Sequence, residues 1–290
     1  MSSPRIGIVV VSYNSGSFLD HFLASVPASS TEHVRVVVSD NGSTDGSLAH
    51  VRAAHPDVQV VETGANLGYG GAMNVGAAAL GDDVDWLLVA NPDVVLSPGS
   101  VDSLVEAAES DPAIGAVGPR ILQTDGTPYP SARRLPTLFT GLGHALLATV
   151  APGNPWSQRY RSESLLTESR TVRVGWLSGA CVLVSADLFR RLDGFDERYF
   201  MYFEDVDLGR RIGLADRLNV FVPAATVTHV GAHSTREQSA KMLRVHHRSA
   251  YLYLSSVYSG VRWAPVRAGL RIGLAARSRL LSSRMRHQDA

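Results

Sequence analysis

The sequence predicts an α/β protein: a Rossmann-like, mostly parallel sheet flanked by helices, followed by a helical C-terminal tail. Three observations carry that prediction. Short β-branched apolar runs alternate with segments of helical spacing over residues 1–120, the pattern of repeated β-α units with right-handed crossovers. The runs are apolar at consecutive positions, as strands covered on both faces require. Polar clusters follow four successive runs, at the strand ends where an open parallel sheet places its ligand crevice.

Taken in order, residues 5–12 form the first strand and 17–26 a helix with Phe18, Leu19, Phe22, Leu23 and Val26 on one side. Residues 34–38 form a second buried strand, and 46–55 a helix stopped by Pro56. A third strand over 58–61, a helix over 72–80, a fourth strand over 86–89, a helix over 100–109 and a short strand over 114–117 complete the repeats. From 121 to 170 the pattern breaks. Asp125-Gly126 marks a turn, and Pro128, Pro130, Pro136, Pro152 and Pro155 interrupt regular structure, so a long loop over the sheet is expected. A buried strand over 176–184, a helix over 204–212 and one or two strands over 219–230 come next. The last element is a helix over 241–258, with Leu243, His247, Tyr251, Leu254 and Val257 at helical spacing.

The 290 residues are 45% apolar and 19% charged, enough for a sizeable core and ordinary for a globular protein. Cys181 is the single cysteine, so no internal disulfide forms, which suits a reducing compartment. No basic n-region leads into an apolar stretch and cleavage site at the N-terminus, so no signal peptide is expected. No run reaches the roughly 18–20 apolar residues that a spanning helix needs. The zero net charge conceals an asymmetry. Residues 241–290 carry ten basic residues against Asp289, a charge of +9, whereas residues 1–240 carry 17 basic against 26 acidic, a charge of −9. A basic tail on an acidic body suits an anionic membrane surface, and no nucleic-acid partner is expected. A solvated helix face, or contact with the acidic body of a second copy in a homo-oligomer, remains the alternative reading of the tail.

The strand-end clusters carry the chemistry. They are Ser12-Tyr13-Asn14-Ser15, Ser39-Asp40-Asn41-Gly42-Ser43-Thr44-Asp45, Asn66-Leu67-Gly68-Tyr69-Gly70-Gly71 and Asn91-Pro92-Asp93. Singly each suits helix caps and turns; four in succession suit one shared site. Asp40 is placed either to cap a helix or to accept the imide N–H of a uracil or thymine ring. Glycines 68, 70 and 71 allow close backbone approach. They do not make a dinucleotide fingerprint, because position 73 is Met73, and this weakens a nicotinamide-dependent oxidoreductase reading. Asp93, just past a buried strand, suits a hard divalent cation held with a diphosphate. Glu204, Asp205 and Asp207 form a second acidic cluster after the aromatic run 199–203. On a helix they cannot share one face, so one points to the site while another caps or pairs with Arg210 or Arg211. His229 and His233, beside Ser234 and Arg236, suit phosphate or metal binding. Trp176 and Gly179 put an aromatic and a close-approach position on one strand, with core packing the competing role for Trp176.

In this order and spacing, Val10-Val11-Ser12-Tyr13-Asn14, Ser39 to Asp45, Asn66 to Gly70, Asn91-Pro92-Asp93, Gly179-Ala180 and Gly194-Phe195-Asp196-Glu197 through Glu204-Asp205-Val206-Asp207 resemble the family-2 glycosyltransferases of the A-type (GT-A) fold. The resemblance covers about residues 5–255. It implies a catalytic domain over 1–240, with a nucleotide-binding half (1–120) and an acceptor-binding half (121–240), and a basic helical region over 241–290. It implies donor contacts from Ser12, Tyr13, Asn14, Asp40, Asn66, Gly68, Tyr69, Gly70, Asn91, Asp93 and Arg236, and acceptor contacts from Trp176, Gly179 and Ala180. Asp93 and His229 are the implied ligands of a divalent metal, Mg or Mn, with Asn91 standing where the family's acid-x-acid motif has its first acid. Asp205 is the implied catalytic base, with Glu204 the second choice. The Asn-Pro-Asp variant, with Tyr129 to Arg133, Gly175 to Gly179 and Phe195 to Tyr202, resembles the bacterial rhamnosyltransferases of the family. That implies inverting, α-1,3 transfer of L-rhamnose from dTDP-β-L-rhamnose to N-acetylglucosaminyl-diphospho-polyprenol, in building the linker between arabinogalactan and peptidoglycan. Another donor sugar or a polysaccharide acceptor is the alternative within the family. The implied location is cytoplasmic and peripheral, at the inner face of the plasma membrane.

Overall fold

The computed structural model describes residues 5–138, 165, 167–230, 239–274 and 277. The first four strands of the main sheet, β1 (Ile6–Ser12), β2 (Val34–Asp40), β3 (Gln59–Glu62) and β4 (Trp86–Ala90), are parallel. β11 (Cys181–Ser185) runs antiparallel between β4 and β6 (Ile114–Leu122). β12 (Leu218–His229) is parallel to β6, and β5 (Val94–Leu96) closes the edge antiparallel to β12. The order across the sheet is β3-β2-β1-β4-β11-β6-β12-β5. β7 (Pro128–Tyr129) and β9 (Val172–Val174) pair with β6 and β12. The parallel half matches the expected repeats, and the second half is mixed.

Every residue of β1 is buried, and its side chains divide between two layers. Ile6, Ile8 and Val10 pack with Leu19 and Phe22 of α1 (Ser17–Ser29) and Leu104 of α4 (Ser100–Glu109). Val9 and Val11 face the other way, in a core with Met73 of α3 (Gly68–Leu80), Phe189 of α5 (Ala186–Arg191) and Leu208 of α6 (Glu204–Leu214). The period-two alternation of a strand thus makes a helix–sheet–helix sandwich. Helix α2 (Ser47–Ala54) links β2 to β3. Register sets the functional edge: Ser12 pairs with Asp40 and Val10 with Ala90, so the carboxyl ends of β1, β2 and β4 open together.

Several expectations are corrected. The strand expected over 176–184 is two strands. β10 (Trp176–Leu177) pairs with β8 (Ala132–Arg133) in a separate sheet, and a turn at 179–180 precedes β11. The peptide N–H of Asn91 donates to the Ala180 carbonyl at 2.9 Å, so the break is hydrogen-bonded into the site. β6 continues past 117 through Pro119, which lacks a donor; the register against β12 shifts next to it, between Val222 and Thr226. Helix α3 begins at Gly68 instead of 72, because Gly68 takes φ +80 and a Cβ there would collide with the Phe200 backbone. Within the 121–170 loop, β7 and β8 are short strands, while Pro152 and Pro155 lie outside the described residues. The expected C-terminal helix is α7 (Ser239–Val257). Its Tyr253 is buried against Tyr199 and Val206, so it docks on the body.

Candidate active site

The carboxyl edge opens into a cleft of about 740 Å³. Tyr13, Asn14, Asn66, Gly68, Tyr69, Asn91, Asp93, Trp176, Gly179, Ala180, Glu204, Asp205 and His229, all expected from sequence, line it. Ser12, Asp40 and Gly70 lie just behind the wall. Ser12 is buried, its hydroxyl donating to Ser15 Oγ at 3.2 Å. Gly70 packs on Phe195, where a Cβ would intrude, so its close approach is to the protein's own aromatic ring. Arg236, His233 and Ser234 lie outside the described residues.

Asp40 does not cap a helix: α2 begins at Ser47 with no side-chain cap, and the Asp40 carboxylate is used in the loop before it. Its Oδ2 accepts the N–H groups of Gly42 at 3.1 Å and Ser43 at 3.0 Å, shaping the loop. Its Oδ1 is buried with no hydrogen-bond partner among the described residues, an orphan acceptor of the kind a ligand donor satisfies. Asn14, at φ +51, ties this loop to β1: its Oδ1 accepts from Thr44 N at 2.7 Å. Asn41 is the brace that sequence reasoning did not assign. Its Nδ2 donates to Asn66 Oδ1 and Gly68 O, both at 3.1 Å, and its Oδ1 accepts from Leu67 N at 2.8 Å.

Asp93 and His229 meet at the β4–β12 side, with Nε2 3.0 Å from Asp93 Oδ1, and Asn91 Nδ2 lies 3.4 Å from the same nitrogen. One carboxylate oxygen and one imidazole nitrogen side by side are a fitting donor pair for a divalent cation. No group of three or more His, Cys, Asp or Glu side chains able to hold a metal exists among the described residues. A cation here would therefore complete its shell from ligand phosphate and water, as magnesium commonly does.

Asp205 opens α6 at the cleft wall. Its Oδ2 accepts from Gly179 N at 3.0 Å and its Oδ1 from its own helix, Val206 N, at 2.8 Å. Tyr69 donates its hydroxyl to the Gly179 carbonyl, so the Gly179 peptide is held between Tyr69 and Asp205. Burial raises the Asp205 pKa, while the two peptide donors and the charge of Arg133 draw it back. Glu204 has no such help. Burial and the neighbouring Asp205 push it up to about 8, and its Oε2 has no hydrogen-bond partner among the described residues. Glu204 therefore keeps its proton at neutral pH, while the two peptide donors and Arg133 favour the charged form of Asp205. Asp207 turns away and pairs with Arg211 at 2.6 Å, as the helical spacing required.

Loop 199–203 presents this pair. Tyr202 and Phe203 both take positive φ, 67 and 70, a conformation that side chains disfavour. Helix α7 holds it: Ser249 Oγ donates to Met201 O at 2.8 Å, and His246 packs edge-on to both rings. Met242 and His246 of α7 also line the cleft, as do Tyr129 and Arg133. None of these four was assigned to the site from sequence; the helical spacing of 241–258 marked the element, not its place.

Parallel repeats, a reversal at β11 and an acidic cleft at the carboxyl edge define a glycosyltransferase of the A-type fold. The fold is shared with solved structures: GalNAc-T7 with UDP, GalNAc and Mn2+ superposes with a TM-score of 0.60 at 17% identity, over 94% of this chain and 54% of that one. A mannosyltransferase from Pyrobaculum calidifontis, in complex with GDP-Man and Mn2+, gives 0.59 at 17% identity, over 98% of this chain and 76% of that one. The family model "Glycosyl transferase family 2" matches residues 7–184, and the chain belongs to that family. An N-acetylglucosaminyl-diphospho-decaprenol L-rhamnosyltransferase of Mycobacterium tuberculosis is 47% identical over 283 residues, 94% of this chain and 92% of that protein.

Proposed function

We propose that the protein transfers L-rhamnose from dTDP-β-L-rhamnose to N-acetylglucosaminyl-diphospho-polyprenol with inversion, forming an α-1,3 linkage in cell-wall linker synthesis. The observation that carries this reading is one cleft holding both the Asp93–His229 pair and an Asp205 carboxylate fixed by peptide N–H groups, in a chain 47% identical to a rhamnosyltransferase for that acceptor. The orphan Oδ1 of Asp40 and the braced loop of Asn14, Asn41 and Asn66 suit the nucleotide. Asp93 and His229 would hold a divalent cation, Mg or Mn, together with the donor diphosphate. When bound, the cation offsets the charge that develops on the departing diphosphate. Trp176, Gly179 and Ala180 border the acceptor. Asp205 takes the proton from the acceptor hydroxyl as that oxygen bonds to the anomeric carbon and the bond to the diphosphate breaks. One displacement releases the nucleoside diphosphate and inverts configuration.

The acceptor is lipid-linked, so the protein works at the cytoplasmic face of the plasma membrane, held peripherally by its basic tail. No helix among the described residues is long and apolar enough to cross a membrane. A donor panel tests the reading. Purified protein with divalent metal and a polyprenyl-diphosphate-linked N-acetylglucosamine should transfer from dTDP-rhamnose and from no other nucleotide sugar at comparable rate. Preference for another donor, or no product with this acceptor, overturns it.

A further inference from the structure

Two diphosphates share the cleft in the reaction proposed above, one on the donor and one on the acceptor. Like charges in one cavity need separate cationic partners, and the cation that Asp93 and His229 would hold accounts for one. Arg133 is a cation in the same cleft with no assigned task. It stands on β8, half-buried, with Nε donating to Pro130 O at 2.9 Å. Its guanidinium carbon lies 5.3 Å from the centre of the Trp176 ring and 5.9 Å from that of Tyr129. Trp176 is itself fixed, its Nε1 donating to Arg134 O at 3.1 Å. Among the described residues no carboxylate forms a salt bridge with Arg133. The side chain is therefore stacked and oriented, with its terminal nitrogens outside any salt bridge among the described residues. A planar fork pre-ordered in this way suits the paired oxygens of a phosphate.

We propose that Arg133, on its shelf of Trp176 and Tyr129, binds the diphosphate of the acceptor. This inference rests on the lipid-diphosphate reading. Arg133 is near enough to Asp205 for its charge to act on that carboxyl, so one ligand can present a sugar hydroxyl to Asp205 and its phosphates to Arg133. The β8–β10 sheet carries Arg133 and Trp176 together, and the Gly179 peptide just after β10 donates to Asp205 Oδ2 at 3.0 Å.

The test compares two acceptors with a single donor: N-acetylglucosaminyl-diphospho-farnesol, and an uncharged alkyl N-acetylglucosaminide, read as a substrate or, if not turned over, as a competitive inhibitor. Arg133→Gln should raise the KM for the diphosphate acceptor at least about tenfold, equivalent to about 1.4 kcal/mol. The KM for the donor and the constant for the uncharged acceptor should stay unchanged. Arg133→Lys keeps charge but loses the fork and should fall between wild type and Arg133→Gln. Arg133→Lys also answers the question should Arg133→Gln fail to fold in a thermal melt. Equal loss on both acceptors, a raised donor KM, or no change overturns the inference. If the wild type does not use the diphosphate acceptor, the functional reading itself fails and this inference falls with it. If the wild type uses it and Arg133→Gln does not discriminate, only the inference falls.

Discussion

At the residue scale, function rests on which carboxyls are ionised. Asp93 presents its carboxylate beside His229 at the end of the cleft where a cation fits, so Asp93→Ala should nearly abolish transfer and metal-dependent donor binding together. A folded variant with unchanged turnover and metal dependence would refute that role. Asp205→Asn should lower kcat by about 10² or more, because general-base catalysis contributes on that scale, with donor affinity little changed. Glu204→Gln should keep most activity, since Glu204 is already neutral at pH 7; the reverse order of the two variants would exchange their roles. The same proton has a stability signature. Unfolded Glu204 loses it near the ordinary 4.5, but folded Glu204 keeps it to about 8. Between those values the folded state binds the extra proton, so this contribution is present at low pH and is lost as pH rises through about 8. Glu204→Gln removes it. Melting temperatures of the variant relative to wild type should therefore climb from pH 5 to pH 8, and parallel curves would show that Glu204 does not hold that proton.

At the scale of elements, the sequence was most legible where burial is two-sided. β1, β2, β4, α1 and α4 follow from consecutive apolar runs and helical spacing, and their polar ends mark the cleft. Legibility failed where polar groups do the packing. Along α7 the stripe expected through Leu243, His247, Tyr251, Leu254 and Val257 holds in part: His247 is buried, and Leu254 and Val257 pack on the Tyr199–Tyr253 cluster. Leu243 and Tyr251 are only half-buried, and among the described residues Ser249, Ala250 and Tyr253 are the other buried side chains. Hydrophobic periodicity does not register a histidine satisfied by Leu243 O at 2.7 Å or a serine bonded to Met201 O. Arg133 escaped because its strand is two residues long and pairs across 43 positions of chain, to Trp176. The glycines were legible as close approaches, but not toward what: Gly68 lets α3 start against Phe200. Gly68→Ala should therefore cost more than about 1 kcal/mol from its positive φ alone, and should lower activity by displacing loop 199–203. Tyr253→Ala, which empties the α7 contact under Phe203, should cost about 3–5 kcal/mol if it behaves as other buried aromatics do, with kcat falling alongside. Chemical denaturation and kinetics on both variants check this; a Tyr253→Ala protein with lowered stability but full kcat would show that α7 does not support the strained loop.

For the whole molecule, the +9 of residues 241–290 against the −9 of the preceding 240 makes a polarised surface, and the segment after α7 decides how it is used. Residues 261–274 turn off the end of α7 as a short 3-10 turn and a further helix. The turn is pinned: Arg267 Nη1 donates to Tyr258 O at 2.9 Å and Gly260 O at 2.7 Å, and the Trp263 ring lies 5.0 Å from that of Tyr258. In the sequence, Trp263, Leu270, Leu274 and Leu281 are interleaved among the arginines of the tail and are the residues that could enter a membrane interface. Of these, Trp263, Leu270 and Leu274 are half-buried, and Leu281 lies outside the described residues. Among the described residues of the tail, the large apolar side chains that face solvent are Val261, 90% exposed, and Ile272, 71% exposed, among the exposed Arg262, Arg271 and Arg277. Val261 and Ile272 by themselves bury little area, whereas the arginines contribute electrostatic attraction on the order of 1 kcal/mol per basic residue near an anionic leaflet. Attraction of that origin fades with salt as the Debye length shrinks. The full chain should therefore pellet with anionic vesicles and less so as salt rises, and should ignore neutral vesicles. Truncation after Gly260 removes seven arginines and leaves α7 and its grip on loop 199–203 in place. It should lose vesicle binding and keep its rate on a short water-soluble acceptor. A truncated protein that pellets as well as the full chain places the membrane contact elsewhere on the body, and one whose oligomeric state changes instead assigns the arginines to the acidic face of a second copy.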